Sequence, residues 1–423
     1  MKTHCCISTG TNNTAIGNSS LTTNTTGHSN TAAGKDALNK NTTGCHNTAI
    51  GLNSLYENTT ANNNTAVGYK TLEVNTTGAS NTGVGKESLC SNTTGASNTA
   101  VGQNSLDSNT TGSNNTAMGY KSLTTNTTGE MNAAFGSQSL CKNTTGSENV
   151  AIGRASLCAN TTASNNTAVG AFALRKTTTG ASNAAIGYLA LTENTTGAGN
   201  VAIGLNALYA NTTGTTNVAV GCVAMFNNET GSDNVAIGYC ALHKVSVNSN
   251  VAVGREAGKC NTTGCINTFI GQNAGDNHTT GENNTVLGFN AQTSSASSDN
   301  QFTLGNGNIS NLRCADTSIS SLSDLRDKKN VEDIPHGLDY ILALRPVKFD
   351  WNTRDETKIG KKDYGFIAQE LDQVEETFGN KEYTRLVNKE NPDKWEADPM
   401  KTYPILIKAI QELKAEIELL KNK

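Results

Sequence analysis

"NTAIGNSSLTTNTTGHS", residues 13–29, is followed without a break by "NTAAGKDALNKNTTGCH" (30–46) and "NTAIGLNSLYENTTANN" (47–63). The shared pattern is N-[TV]-A-[IV]-G-x-x-[SA]-L-x-x-N-T-T-G-x-x, with a period of 17. Its leading Asn keeps that spacing from Asn13 to Asn234. One residue is then lost, and the register resumes at Asn250, Asn267 and Asn284; a degenerate last copy reads "NQFTLGNGN" (300–308).

A unit this short, with two small residues and two reliable apolar ones, has nothing to fold around by itself. Its copies must stack and share a core. Stacking predicts an internal ladder through the aliphatic position, Ile16, Ala33, Ile50, Val67, Val84, Val101, Met118, Phe135 and Ile152. The Leu position adds a second ladder through Leu21, Leu38, Leu55 and Leu72. Gly17 and its equivalents mark a corner that needs positive φ or has no room for a side chain. Stacked Asn amides can hydrogen-bond from rung to rung, and the Asn-Thr-Thr-Gly stretch supplies turn chemistry. The density of Gly, Thr and Asn and the lack of a 3.6-residue period exclude helical repeats. The fold expected over 13–308 is therefore mainly β, a β-solenoid (β-roll) with one coil per repeat. About 18 coils at the ~4.8 Å strand spacing make a shaft roughly 85 Å long.

Composition agrees. Of 423 residues, 35% are hydrophobic and 5% aromatic, too few for one large conventional core, and 41 are Gly. A net charge of −4 without a basic run argues against nucleic acid as a partner. No apolar stretch reaches the ~18 residues of a membrane-spanning helix, so no membrane insertion is expected. The opening "MKTHCCISTG", an N-terminal tip over 1–12, has no apolar core and does not read as a signal peptide. The eleven cysteines are scattered, and a chain made in the cytoplasm would keep them reduced. Cys141 and Cys158 share a repeat position in adjacent coils, and Cys90 takes it three coils earlier. This reads as tolerated substitution, with a disulfide or a metal as the alternative. The recurring Asn-x-Thr triplets match glycosylation acceptors, but the turn itself requires them. Ice binding would need a Thr-x-Thr ladder, whereas the Thr residues here are adjacent and point opposite ways. No carboxylate pair, metal-ligand cluster or phosphate loop recurs, and no cofactor is expected.

Near residue 314 the chain changes class. All five prolines, both tryptophans (Trp351 and Trp395) and 18 of the 32 Lys and Arg lie beyond Cys314. A linker is expected over 309–322 and a small α+β domain over 323–423. "VKFDW" (347–351) reads as a strand, and "YGFIAQELDQVEETFG" (364–379) as a strand or turn running into an amphipathic helix that ends at Gly379. The tail places Leu406, Ile410, Leu413, Ile417 and Leu420 at spacings of four and three, a coiled-coil seam over 403–422.

"SLSDLRDKKNVEDI" (321–334), then "LDYILALRPVKFDW", "YGFIAQELDQV" and "ILIKAIQEL", resembles the endosialidase-type intramolecular chaperone, a self-cleaving domain that ends many phage tail fibres and tailspikes. The repeats, for their part, are similar to the β-roll heads of trimeric autotransporter adhesins. The chaperone resemblance implies a homotrimer, directed by this domain, which then cuts itself off. It makes Ser323 the nucleophile and Lys328 the general base, and places the cut at Ser323 and Asp324, with the bond before Ser323 as the alternative. Asp324 and Arg326 fill the remaining motif positions, and Asp327 and Asn330 belong to the supporting motif. Lys329 rivals Lys328, separated from it only by the family's spacing. From the local residues alone, Ser323 reads as the cap of a short helix before a solvated charged turn, and it is the domain-wide resemblance that makes it the nucleophile. His336 sits in an apparent loop with no evident partner.

The chemistry is sound on its own terms. A serine hydroxyl needs a base, and a lysine can be that base once desolvation favours its neutral form. The function this implies is a fibre or surface-appendage protein of a virion, synthesised in the host cytoplasm, whose partners are its own copies and a host-cell receptor or glycan. The alternatives are a cell-surface adhesin with the same chaperone and a membrane-tethered regulator released by cleavage. Neither export signal, anchor nor DNA-binding domain is visible to favour them.

Overall fold

The computed structural model describes residues 9–309, 311–313, 323–353, 359–379, 381–389, 391–393 and 395–422. Most of the expected linker and the tip residues 1–8 lie outside them. The chain divides into two compact units, Met1–Leu304 and Gly305–Lys423.

In the first unit each repeat contributes one three-residue strand, β1 (Thr14–Ile16) to β18 (Phe302–Leu304). Each strand pairs in parallel with the next, so eighteen strands form a single sheet. The register is one repeat per rung, with Ala15 opposite Ala32 and Ala134 opposite Ala151. The lost residue shortens one turn without disturbing the sheet, and Val235 still pairs with Val251. The last coil differs by one position from the sequence reading. Gln301, rather than Asn300, takes the ladder place, its N–H donating to Asn284 Oδ1 at 3.0 Å.

The core inverts one expectation. The middle residue of each strand points inward, and Ala32, Ala49 and Ala151 are fully buried. The aliphatic third residue, expected inside, points out: Ile16 is 65% exposed and Ile152 42%. Successive strand residues alternate faces, so a three-residue strand buries either its centre or its two ends. The Leu ladder does face inward, and Leu21, Leu38, Leu55 and Leu72 are fully buried.

That Leu sits in the left-handed region, with φ of 53° at Leu21 and 51° at Leu38. The conformation costs about 1–2 kcal/mol, and burying a Leu side chain returns about 1.5–3 kcal/mol. Burial wins by a narrow margin. The corner glycine is more tightly constrained. Gly17 has φ of 129°, and a Cβ there would stand 2.5 Å from the Gly34 oxygen of the next coil.

Two buried Asn ladders run beside the core. Asn30 N–H donates to Asn13 Oδ1 at 2.9 Å, and its Nδ2 donates to Gly44 O at 2.8 Å. The Asn of the Asn-Thr-Thr-Gly turn does the same one column over, Asn41 Nδ2 donating to Asn24 Oδ1 at 2.8 Å. Where this second column is interrupted by Thr177, Val245 or His278, the preceding Asn loses its donor. The Oδ1 atoms of Asn160, Asn228 and Asn261 are buried without a partner.

In the second unit β19 (Val347–Asp350) pairs antiparallel with β20 (Lys362–Gly365). Helix α1 (Leu338–Ala343) packs on α4 (Tyr403–Lys421), and α2 (Ala368–Phe378) ends at Gly379 in the left-handed conformation, φ 68°. Short α3 (Lys381–Thr384) and the pair β21 (Val387–Asn388) and β22 (Glu396–Ala397) complete it. Tyr340, Leu371, Leu386 and Ile405 form its core, joined by Phe366, Val374 and Phe378. Helix α4 buries Ile405 and Ala409 and leaves the expected seam, Leu406, Ile410, Leu413, Ile417 and Leu420, exposed in the single chain. Among the described residues no helix is long and apolar enough to cross a membrane.

Candidate self-cleavage site

The turn between Ser323 and Lys328, within the second unit, is built by one residue. Asp324 is extended (φ −71°, ψ 136°), and its carboxylate accepts from the Arg326 N–H at 2.9 Å, capping the 3-10 turn Leu325–Asp327. The same carboxylate grips the Arg326 guanidinium, Nη2 to Oδ2 at 2.6 Å. The hydrogen bonds from Arg326 hold the Asp324 carboxyl below its usual range. Asp324, not Ser323, is therefore the cap, so the simple capping role for Ser323 falls away.

The turn closes at Lys328, which is extended again (φ −117°, ψ 144°) and donates its N–H to Leu325 O. Leaving the turn in this direction brings its side chain back over the start. Lys328 Nζ donates to Ser323 Oγ at 2.7 Å. A 3-10 turn advances about 2 Å per residue, so two residues flanking one turn stay within reach of a long side chain. The i, i+5 spacing is what that geometry requires. Both residues are exposed.

The remaining motif residues have separate fates. Arg326 braces Asp324. Asp327 and Asn330 are exposed, and Asn330 bends the chain away at φ 53°. Lys329 is exposed, while the bond to Ser323 comes from Lys328. His336 lies in the loop before α1, as read, but it does have a partner. Its ring meets Phe378 edge-on at 5.2 Å.

Sequence reasoning passed over the polar groups that hold the unit behind this turn. Glu375 is fully buried, its Oε1 accepting from Leu386 N–H at 2.6 Å and from Thr384 Oγ1 at 2.5 Å. The signal was present, since Glu375 lies four residues after Leu371 on the buried face of α2. Asp372 pairs with Lys381 at 2.9 Å and also with Lys389. Glu412 of α4 accepts from the Leu338 N–H at 2.7 Å and so ties the start of α1 to the terminal helix. Among the described residues no three His, Cys, Asp or Glu side chains are grouped to hold a metal.

The chain has no significant match among curated proteins or solved structures. A family model does match, and its span begins at the residue on which the turn converges. Residues 323–380, from Ser323 through α1, β19, β20 and α2, match the family described as chaperone of endosialidase.

Proposed function

We propose that the chain is the shaft of a homotrimeric fibre or surface appendage of a virion, and that its C-terminal unit aligns the three chains and is then released by self-cleavage at Ser323. The observation that carries this reading is the 2.7 Å hydrogen bond between Lys328 Nζ and Ser323 Oγ at the first residue of the family match. In the reaction Lys328 accepts the hydroxyl proton as Oγ attacks the Ser323 carbonyl of a neighbouring chain in the trimer, since attack on its own carbonyl would close a four-membered ring. Lys328 returns the proton to the departing amine, that of Asp324, and water hydrolyses the ester that joins the two chains. The favoured bond is the one joining Ser323 to Asp324. Lysine acts as a base once out of water. Trimer packing around this exposed turn would exclude that water, so cutting would wait for assembly.

Two uncovered apolar faces support a trimer. One is the column of third strand residues, including Ile152, Ile186 and Ile203, at 38–42% exposure. The other is the Leu406–Leu420 face of α4. The shaft column also shows why a jig is needed. It presents Ile or Val at most rungs, so chains displaced by one coil bury much the same surface. A module that trimerises first sets the register, and its removal makes the assembled shaft kinetically irreversible. A shaft of this kind would space or present a surface for a host receptor or glycan.

The test is the mass of full-length protein on a denaturing gel, beside its Ser323→Ala variant and with light scattering of both. The parent should appear as two pieces, 1–323 and 324–423, as the position of Ser323 requires. The variant should stay intact and still be a trimer, because assembly does not need the hydroxyl. Cleavage of the variant at the parental rate would remove Ser323 from the reaction. A monomeric variant would remove the trimer.

A further inference from the structure

We infer that Cys141 and Cys158 form a dithiol site on the shaft that a low-molecular-weight disulfide converts into a covalent staple between two adjacent coils. The two residues stand one repeat apart, at the same place in the turn after the buried Leu. Cys141 Sγ lies 3.4 Å from the Cys158 carbonyl oxygen, and the same oxygen accepts from Lys142 N–H at 3.0 Å. Equivalent residues of neighbouring coils are about 4.8 Å apart, inside the roughly 4.4–6.8 Å Cα separation that a disulfide spans. The Cβ atoms of a disulfide stand about 3.5–4.5 Å apart, so bridging the pair needs side-chain rotation and a shift of the two turns by a few tenths of an ångström. Both thiols are free and only partly buried, so a small disulfide can reach them.

Their surroundings separate them from the other cysteine at this repeat position. Cys158 is held down to about 7, chiefly by its hydrogen bond with Cys141, with Lys142 and Arg175 adding favourable charge against the cost of burial. The same hydrogen bond and burial raise Cys141. Cys90 has no cysteine one coil away; it lies between Glu73 and Asp107, and burial plus their charge push it up to about 12. One thiolate is thus poised to attack, its neighbour is placed to resolve, and the third thiol is inert.

The chemistry balances as two exchanges. The Cys158 thiolate attacks one sulfur of the small disulfide, forming a mixed disulfide and releasing one thiolate. Cys141 then loses its proton and attacks the Cys158 sulfur, closing the Cys141–Cys158 bond and releasing the second thiolate. The protein loses two electrons and two protons, and the small disulfide is reduced to two thiols. Within a reducing cytoplasm the pair stays open. In a disulfide-containing environment it closes across the middle of the shaft.

The experiment exposes reduced full-length protein to oxidised glutathione near pH 7, then alkylates, digests and maps the peptides by mass. The expected product is the Cys141 peptide joined to the Cys158 peptide within one chain, with Cys90 still alkylatable. In Cys141→Ser the mixed glutathione disulfide should persist on Cys158. Before oxidation, Cys158 should react with iodoacetamide at least about tenfold faster than Cys90. The inference is overturned if the parent stops at glutathionylated Cys158, if Cys90 oxidises as readily as the pair, or if the bond joins different chains.

Discussion

The ring of Phe269 fills the space that a side chain on Gly275 would need. A Cβ at Gly275 would lie 2.1 Å from Phe269 Cδ1, and one at Gly258, a coil earlier, 2.6 Å from Cδ2. Gly258 and Gly275 occupy the position that Leu holds in most coils, and Phe269 the position that is usually Ala. The core has exchanged a Leu in two coils for one inward Phe, and both glycines keep the left-handed φ, 57° and 59°.

This exchange makes the three residues interdependent. Gly275→Leu alone should lower the melting temperature of the shaft, since the ring occupies its space. Phe269→Ala alone should cost about 3–5 kcal/mol as a cavity. The combination Phe269→Ala with Gly258→Leu and Gly275→Leu restores the ordinary repeat and should recover most of that loss. Thermal unfolding of the four proteins decides it. Losses that simply add would show that the positions are independent.

Interruptions of the second Asn ladder are places to gain stability. Asn160 Oδ1 is buried without a donor because the next rung carries Thr177. Thr177→Asn should supply that donor and stabilise the local coils by about 1 kcal/mol. Thr177→Ala should do the opposite, because Asn194 Nδ2 donates to Thr177 Oγ1 at 3.2 Å. Amide hydrogen exchange around 160–195 would read both, and slower exchange in the alanine variant would contradict the ladder.

The two faces of one strand should answer to charge differently. Ala151→Lys puts a cation into a dry core with no partner and should unfold the coils around β9 (Val150–Ile152), at a cost of several kcal/mol. Ile152→Lys, combined with Ile186→Lys and Ile203→Lys, should leave circular dichroism unchanged and shift light scattering from trimer towards monomer. A variant that loses its β signal would return the aliphatic column to the inside.

Lys328 and Lys329 are neighbours with the same side chain and different geometry. Lys328→Ala should abolish cleavage, and Lys329→Ala should leave the rate within about twofold, since Lys328 makes the bond to Ser323. Lys328→Arg should also be inactive, because a guanidinium does not give up its proton near neutral pH. Cleavage in the arginine variant would argue against a lysine base. Gel densitometry against time is sufficient.

Much was legible in the residues because it depends on spacing alone. A period of 17 with Gly and Asn at fixed places sets one coil per repeat, a corner at Gly17 and amide ladders along the stack. The motif around Ser323 fixed which side chains could meet, and a five-residue spacing across one 3-10 turn was enough to bring them together. Which residue caps that turn was not legible. Ser323 and Asp324 are both good caps by type, and only the backbone direction at Asp324 decides between them.

The inward face of the strand was decided by the tertiary structure. A Thr-Ala-Ile strand read by hydrophobicity puts Ile inside, because Ile gains most from leaving water. A coil this short closes too tightly for that. With a Leu already crossing from the opposite turn, close packing leaves room for one methyl group, and Ala takes it. Phe269 enters only where both flanking leucines have become Gly258 and Gly275. Residue type set the preference of each side chain for water or for the core, whereas the width of the closed coil set which preferences could be met, and it left the isoleucines outside.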